Sequence, residues 1–417
     1  MATTVTRESD EVRALTRLAL DELGAATAGI GAMHRSVANS VFGALGAVFG
    51  RQMTSPRMVH DAVSESTYLS VAALLDIARS VSDQLPASRA TAPSRTTRGA
   101  TVLGILNGLI GDALTESESS LAADMSVRAK GGPVAITTRS LARAFPDAGD
   151  HLVVFLHGLM ETEHAWSLGG NPTYGERLRA DIGASPVYIR YNTGLHISEN
   201  GRQLADLLNG LTLLWPTPVA RVTLVGHSMG GLVIRAACHA GTQRGDAWTG
   251  LVTETACLGT PHLGAPLARG VHAASTILDT SPVTRPISTL LRRRSAGVRD
   301  LFHGSLTSDD QGFLDRDRWQ RPPVTDLPLL AGARHLYVTA SLSKDPDHPL
   351  GRFIGDGLVL TPSGRGSNSR RHVGFRLDDG VHIGGAHHFT LLNDDNLYGW
   401  LRSNIAPRRA LPPGRSA

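Results

Sequence analysis

The sequence has little lysine and few aromatic residues, and these shortages exclude one class of function. Lysine occurs only at Lys130 and Lys344, so the sequence pI of about 9.4 comes from scattered arginines and not from a basic tract. The formal net charge is only +4 over 417 residues, and aromatic residues make up 5% of them. A nucleic-acid-binding surface needs clustered basic and aromatic side chains. We therefore expect no nucleic-acid partner.

Cysteine is also scarce, occurring only at Cys238 and Cys257, which excludes a disulfide-rich scaffold. The N-terminus lacks the basic and then apolar layout of a secretory signal, so we interpret both residues as buried thiols, with a disulfide between them as the alternative. The most apolar N-terminal stretch, residues 37–50, is too short to span a bilayer. These features predict a cytoplasmic protein.

The stretch 221–241 predicts a buried strand that passes directly into a helix. The strand is apolar and β-branched up to Val225, and the helix begins at Met229 and is expected to end at Gly241. Between them lies Gly226-His-Ser-Met-Gly230, a G-x-S-x-G pentapeptide. Glycine on both sides allows an abrupt turn with Ser228 at its apex, in a strained backbone conformation at a helix N-terminus. We predict that Ser228 is a nucleophile; a glycine turn with an idle serine is the alternative.

A serine nucleophile of this kind needs an oxyanion hole built from backbone N–H groups. The first donor is expected from Met229, directly after the serine. The second should lie on a loop after an early strand, and the predicted strand 151–156 runs into His157-Gly-Leu-Met160. Gly158 lets the backbone turn there, so we predict Leu159 N–H as the second donor, with a plain strand-end turn as the alternative.

The base should be a histidine late in the chain, after the acid. Three histidines are available, namely His382, His387 and His388. His388 directly precedes Phe389-Thr-Leu-Leu392, an apolar anchor at the start of a helix predicted over 391–401. We therefore favour His388 and keep His387, and then His382, as alternatives.

The acid should lie between the last predicted strand and that histidine. Asp356 stands between two glycines in Gly355-Asp-Gly-Leu-Val359, which suits a loop with a fixed backbone that orients an imidazole. The competing carboxylates are Asp345 and Asp347, and also Asp378 and Asp379, which a hairpin turn explains better. We therefore predict Asp356 as the acid.

The order of predicted elements favours an α/β fold with a mostly parallel central sheet and helices on both faces. Ligands in such sheets bind at the carboxyl ends of the strands. Beyond the strands already named, the patterns predict a hairpin over 125–136, strands over 186–191, 251–258 and 334–340, and helices over 138–145 and 198–211.

Three further regions complete the predicted organisation. Residues 1–120 are predicted to be helical, with a loop or linker over 86–100, and precede a catalytic domain spanning 121–405. An insertion at 262–328, with helical pieces over 271–278 and 287–293, is a candidate lid on the active-site side. The tail 406–417 is expected to be disordered.

These motifs together resemble a known family. His157-Gly-Leu-Met, Gly226-His-Ser-Met-Gly-Gly, Leu258-Gly-Thr-Pro-His-Leu-Gly, Gly355-Asp-Gly-Leu-Val and His388-Phe-Thr-Leu-Leu occur in this order. They are similar to α/β-hydrolases of the lipase and esterase type, in particular bacterial proteins similar to the GPI inositol-deacylase-like esterases. The resemblance covers about residues 125–405. It implies the α/β-hydrolase fold, hydrolysis of carboxylic esters of lipids, and Ser228, Asp356 and His388 as nucleophile, acid and base.

We therefore predict a serine esterase or lipase that uses an acyl-enzyme on a small-molecule or lipid ester. Residues of the same motifs, namely His157, Met160, His227 and His262, are expected to line the substrate site. The alternatives are an acyltransferase with the same triad, or an idle lipid-binding module that contacts a membrane peripherally through residues 1–120. No histidine spacing suits a metal, so we expect neither a metal nor another cofactor.

Overall fold

The computed structural model describes residues 92–265, 295–310, 324–344 and 355–406, together with Glu11 and Ala14. The predicted helical pieces at 271–278 and 287–293, the carboxylates Asp345 and Asp347, the tail after residue 406 and nearly all of residues 1–91 lie outside the described residues. Among the residues that are described, no helix is both long enough and apolar enough to cross a membrane.

Eight strands form one sheet in the order β2-β1-β4-β3-β5-β6-β7-β8. Strand β1 pairs antiparallel with β2 and β4, and all the other pairs are parallel. The strands are β1 (Ser126–Ala129), β2 (Gly132–Val134), β3 (His151–Leu156), β4 (Ser185–Arg190), β5 (Arg221–His227), β6 (Val252–Leu258), β7 (Arg334–Ser341) and β8 (Gly380–Gly384). The predicted hairpin and the predicted parallel sheet are confirmed.

Among the described residues, helices lie on both faces of this sheet. They are α1 (Thr97–Glu116), α2 (Thr138–Ala144), α3 (Tyr174–Ile182), α4 (Ile197–Leu214), α5 (Met229–Arg244), α6 (Ala296–His303), α7 (Thr361–Gly364) and α8 (Asp395–Ile405). Side chains cap several of them, as at α3, where Thr173 and Glu176 form a capping box. Since Pro93–Arg95 is a 3₁₀ turn and α1 begins at Thr97, the predicted loop over 86–100 gives way to helix earlier than expected.

The core has two layers because strand residues alternate between the two faces of the sheet. On β3, Val154 belongs to the layer that contains α4 and α5 residues, whereas Phe155 belongs to the layer under α3 and α8. Both residues are almost fully buried. A strand covered on both faces must be apolar throughout, which explains why 151–156 is an almost continuous apolar run.

Two local predictions were wrong for identifiable reasons. Helix α5 continues past Gly241 and ends at Gly245, which takes the left-handed conformation with φ of 70°. Gly241 is needed instead for close packing, since an added Cβ there would lie 2.5 Å from the Trp248 ring. Asp379 ends a 3₁₀ turn that leads into β8, and β8 runs parallel to β7 and is not part of a hairpin.

Helix α1, which belongs to the predicted N-terminal region, packs against the carboxyl end of the sheet. The Asn192 amide, on the loop after β4, donates to Gly111 O at 2.9 Å. The helix also contacts the predicted lid region, since Ser295 Oγ donates to Gly108 O at 2.7 Å and Ala296 N–H donates to Asp112 Oδ2 at 2.8 Å. Helix α1 is thereby placed beside the loops that carry the predicted oxyanion hole.

This docking leaves no room for a side chain at Gly194. An added Cβ would lie 2.2 Å from Asn107 O and 2.8 Å from Gly111 Cα, both backbone atoms of α1. We therefore expect Gly194→Ala to lower the free energy of unfolding by about 1–3 kcal/mol, measured by urea denaturation. Gly399→Ala on α8 is the control: no atom lies within 4 Å of the added methyl, and alanine should stabilise the helix by about 0.5–1 kcal/mol. Equal unfolding midpoints for the two variants would contradict this account of the docking.

Candidate active site

Ser228 lies where β5 ends and α5 begins, in a backbone conformation that is rare for a residue with a side chain. Its φ is 52° and its ψ is −120°, and its N–H donates to Leu258 O at 2.8 Å, at the end of β6. Such a conformation costs on the order of 1–3 kcal/mol and persists only where neighbours fix it. The structure therefore places the serine at the predicted strained apex.

The flanking glycines are required by close backbone contacts. A Cβ at Gly226 would lie 2.5 Å from Gly230 C, and one at Gly230 would lie 2.5 Å from Leu156 O on β3. Real Cβ atoms do not come this close to backbone atoms. The turn can bring the serine against the sheet edge only because both positions lack a side chain.

Asp356 and His388 form a buried pair near this serine. His388 Nδ1 lies 2.8 Å from Asp356 Oδ2, and the side chains are only 2% and 1% exposed. Burial opposes protonation of the imidazole, but the adjacent Asp356 carboxylate outweighs it, so the pKa of His388 is raised above its ordinary value. Nδ1 donates to the carboxylate, which leaves Nε2 of the neutral ring as the acceptor that a base needs.

A tight turn fixes the Asp356 carboxylate. Oδ1 accepts from Leu358 N–H at 2.9 Å and from Val359 N–H at 2.7 Å, while the backbone carbonyl of Asp356 accepts from His388 N–H at 3.0 Å. Gly355 has φ of 61°, and a Cβ there would lie 1.9 Å from Val359 O. The carboxylate thus has one oxygen held by the backbone and the other available to the imidazole.

The His388 ring packs against His227, the residue directly before Ser228. The two rings are 4.6 Å apart between centroids, and His227 Nε2 lies 3.3 Å from His388 O. Within the described residues, no hydrogen bond joins the Ser228 hydroxyl to His388. Catalytic hydrogen bonds are often long in the absence of substrate and shorten when it binds.

The oxyanion loop, defined here as residues 157–161, holds two of its backbone N–H groups in hydrogen bonds to side chains. Gly158 N–H donates to Glu161 Oε2 at 2.7 Å, and Met160 N–H donates to Thr193 Oγ1 at 3.2 Å. Between them, Leu159 N–H has no acceptor among the described residues. A Cβ at Gly158 would lie only 3.0 Å from Ser228 Cβ, so this loop is in contact with the serine.

The Met229 N–H also suits an oxyanion. Met229 is the first residue of α5, so its N–H has no acceptor within the helix. The helix dipole adds partial positive charge at this end. The assignment of Leu159 N–H and Met229 N–H as the two oxyanion donors remains a prediction.

The histidines predicted to line the substrate site are buried in the protein interior. His157, His227 and His262 are all 0% exposed. His157 Nε2 accepts from Tyr191 N–H at 3.3 Å, so its Nδ1 carries the proton and donates to Gly158 O at 2.9 Å. Burial lowers the pKa of His157 to about 4, which keeps the ring neutral. His157 therefore supports the oxyanion loop from within the protein.

The remaining predicted residues differ in their surroundings. His262 packs against Phe375, with ring centroids 4.6 Å apart, and burial lowers its pKa well below the ordinary value. Met160 is partly exposed and has φ of 61° in the turn of the oxyanion loop. Of the four predicted lining residues, only Met160 has a surface open to solvent.

The two alternative histidines have other contacts. On β8, His382 Nδ1 lies 2.9 Å from Thr339 Oγ1 and His382 Nε2 lies 2.9 Å from Ser341 Oγ. His387 is exposed at the start of the turn that contains His388. Only His388 contacts the Asp356 carboxylate. In the part of the chain that the structure describes, no three His, Cys, Asp or Glu side chains are grouped as metal ligands would be.

Sequence reasoning missed Glu161. Its carboxylate contacts His227 Nδ1 at 3.0 Å as well as Gly158 N–H. The partner His227 is far away in the sequence, and a single glutamate after His157-Gly-Leu-Met carries no recognisable signal. Only the fold brings the two residues together.

The thiols Cys238 and Cys257 are free and buried. Burial raises the pKa of each to about 12, so neither thiol ionises near neutral pH. The structure therefore agrees with the interpretation of two inert thiols and not with a disulfide.

A surface cavity of about 330 Å³ lies at the amino ends of the strands, lined in part by Arg221, Glu254 and Arg334. Its charges are already paired, since Arg221 Nη2 lies 2.6 Å from Glu254 Oε1 and Arg334 Nε lies 2.6 Å from Asp379 Oδ1. The predicted nucleophile, acid and base instead lie at the carboxyl ends of the strands, where ligands bind in sheets of this kind.

A mostly parallel sheet with helices on both faces, carrying a serine elbow after β5 and a histidine on the loop before the last helix, defines the α/β-hydrolase fold. The chain has this fold, as its sequence predicts. Residues 186–281 match the family model described as the PGAP1-like alpha/beta domain, which confirms the resemblance over that segment. A search of curated proteins finds no match to the chain.

The similar solved structures include two lipases and a thioesterase domain. The mature form of Bacillus licheniformis lipase BlEst2 is 18% identical, with 61% of this chain and 91% of that chain covered and a TM-score of 0.39. Staphylococcus hyicus lipase is 15% identical, covering 61% of this chain and 94% of that one with a TM-score of 0.35. The NocB thioesterase domain is 16% identical, with 63% of this chain and 97% of that chain covered and a TM-score of 0.32.

Proposed function

We propose that the protein is a serine hydrolase that cleaves carboxylic esters through an acyl-enzyme. The observation that carries this proposal is the buried Asp356–His388 pair next to a strained elbow serine. A serine hydroxyl is a weak nucleophile at neutral pH, and an oriented imidazole is what activates it.

In the first half-reaction, His388 Nε2 removes the proton as Ser228 Oγ attacks the ester carbonyl carbon. The negative charge that develops on the carbonyl oxygen is stabilised by N–H groups of Leu159 and Met229. One such donor contributes about 2.7–4 kcal/mol to transition-state stabilisation. The tetrahedral intermediate collapses, the imidazolium donates its proton to the departing alcohol, and an acyl-serine remains.

In the second half-reaction, water takes the place of the alcohol. His388 accepts a proton from the water as its oxygen attacks the acyl-serine, and it then returns a proton to Ser228 Oγ. Throughout, the Asp356 carboxylate holds Nδ1–H and stabilises the imidazolium. The substrate that we propose is an acyl ester with a lipid-like acyl group, since the resemblance is to lipases and esterases.

An active-site-directed phosphonate tests this proposal. A p-nitrophenyl alkylphosphonate should release one equivalent of p-nitrophenol per chain and leave one phosphonyl group on the peptide that contains Ser228, identified by mass spectrometry. The Ser228→Ala protein and the heat-denatured protein are the controls, and both should remain unlabelled. Labelling at another residue, or no labelling of a protein that hydrolyses p-nitrophenyl esters, would contradict the proposal.

A further inference from the structure

Glu161 and His227 form a second buried carboxylate–imidazole pair beside Asp356 and His388. Glu161 Oε2 lies 3.0 Å from His227 Nδ1, and their side chains are 11% and 0% exposed. Neither residue is required by the triad or supplies a predicted oxyanion donor. A charged pair removed from water in this way is costly unless its hydrogen bonds are well satisfied.

The pair joins three segments of the site. Glu161 Oε2 accepts Gly158 N–H at 2.7 Å on the oxyanion loop, His227 is the elbow residue before Ser228, and its Nε2 contacts His388 O at 3.3 Å. The two residues thus connect the donor loop, the nucleophile and the base by successive hydrogen bonds.

These contacts determine how many protons the pair holds and where they lie. A carbonyl oxygen only accepts, so His227 Nε2 carries a proton toward His388 O. The contact between Nδ1 and Oε2 requires one more proton between them. Burial raises the pKa of Glu161, but its contacts with His227 and with Gly158 N–H more than offset this effect, so the pKa is lowered. The pair therefore shares two protons and has no net charge.

The turn that holds Leu159 needs such support. Glu161 N–H donates to Gly158 O at 3.3 Å, which closes a turn in which Met160 has φ of 61°. This left-handed conformation is unfavourable for a residue with a side chain. The Glu161 carboxylate closes the same turn from its other side through Gly158 N–H. Without that bond, the backbone around Leu159 would be free to relax away from the serine.

We propose that Glu161 is a positioning residue. Together with His227, it holds the oxyanion loop and His388 in their positions around Ser228. This inference rests on the proposed function. It adds a residue that does not touch the substrate but fixes the groups that do.

Glu161→Gln tests the inference because glutamine keeps the size of the side chain but cannot make the same bonds. If the amide oxygen replaces Oε2, it can accept from Gly158 N–H and from Nδ1–H, but a neutral His227 then has no proton on Nε2 for His388 O. If the amide nitrogen replaces Oε2, it can donate to Nδ1, but it faces Gly158 N–H as a second donor. Either orientation releases one of the connected segments.

We expect Glu161→Gln to lower kcat for p-nitrophenyl ester hydrolysis by about 10- to 100-fold, with KM changed by less than about threefold. The rate of phosphonate labelling of Ser228 should fall by a similar factor, because that reaction uses the same oxyanion hole. Glu116→Gln, at the exposed end of α1, is the matched control and should behave as wild type. In the double variant Glu161→Gln/His227→Asn, the two kcat losses should not multiply, because both substitutions break the same connection between Glu161 and His227.

The outcomes separate the inference from the proposed function. If Glu161→Gln retains kcat within about twofold while Ser228→Ala is inactive, the inference fails and the proposed function stands. If kcat falls only in proportion to the folded fraction measured by urea titration, Glu161 has a merely structural role and the inference also fails. If Ser228→Ala still hydrolyses the ester, the proposed function itself is wrong.

Discussion

Replacing Ser228 with alanine is expected to reduce kcat for hydrolysis of a short p-nitrophenyl ester on the order of 10⁶-fold. Alanine has no atom that can attack the carbonyl, so no acyl-enzyme can form at this site. The residual rate should reflect only substrate binding and oxyanion stabilisation by groups that the substitution leaves in place. The measurement is kcat by stopped-flow or steady-state absorbance, with active-site titration of the wild type to fix the enzyme concentration.

The matched control is Ser403→Ala on α8, whose hydroxyl donates to Trp400 O in its own helix. We expect this variant to keep the wild-type kcat. Ser228→Ala should remain folded, because its buried neighbours keep their packing and alanine removes only one oxygen. Retention of more than about a hundredth of the wild-type kcat by folded Ser228→Ala would mean that another group is the nucleophile.

The turn that carries Ser228 can be predicted from the sequence because its signals are local. The turn at Gly226 and Gly230 is recognisable since both glycines are required by backbone contacts within a few residues of the serine. The parallel strands are recognisable since burial on both faces makes each an apolar run. Chain order then limits the acid and base to a few late residues, and the structure brings Asp356 and His388 into contact.

What the sequence does not reveal depends on contacts between distant segments. Strand β8 is short and only partly buried, so its composition gives no clear strand pattern. The sequence predicts that α5 ends at Gly241, and only the structure shows that the Trp248 ring packs against this glycine. The docking of α1 and the pairing of Glu161 with His227 likewise join segments that no local pattern connects.

Asp356→Asn is expected to lower kcat about 10⁴-fold, because the substitution places the imidazole in the wrong tautomer. Leu358 N–H and Val359 N–H donate to Oδ1, so the asparagine oxygen will occupy that position and its NH₂ group will face His388 Nδ1. Nδ1 must then accept a hydrogen bond, the ring proton moves to Nε2, and Nε2 can no longer take the serine proton.

The pH dependence of the same variant gives an independent test. Burial lowers the pKa of His388, and in the wild type the Asp356 carboxylate more than offsets this effect. The base must be unprotonated to act, so kcat/KM rises with pH through this pKa. Without the carboxylate the pKa falls, and the acidic limb of the residual activity should move to lower pH. Asp378→Asn, an exposed carboxylate before β8, is the control and should keep the wild-type rate and profile. Only a carboxylate that holds Nδ1–H can set both the tautomer and the pKa of the base. Loss of activity in Asp378→Asn with retention in Asp356→Asn would therefore show that Asp356 is not the acid.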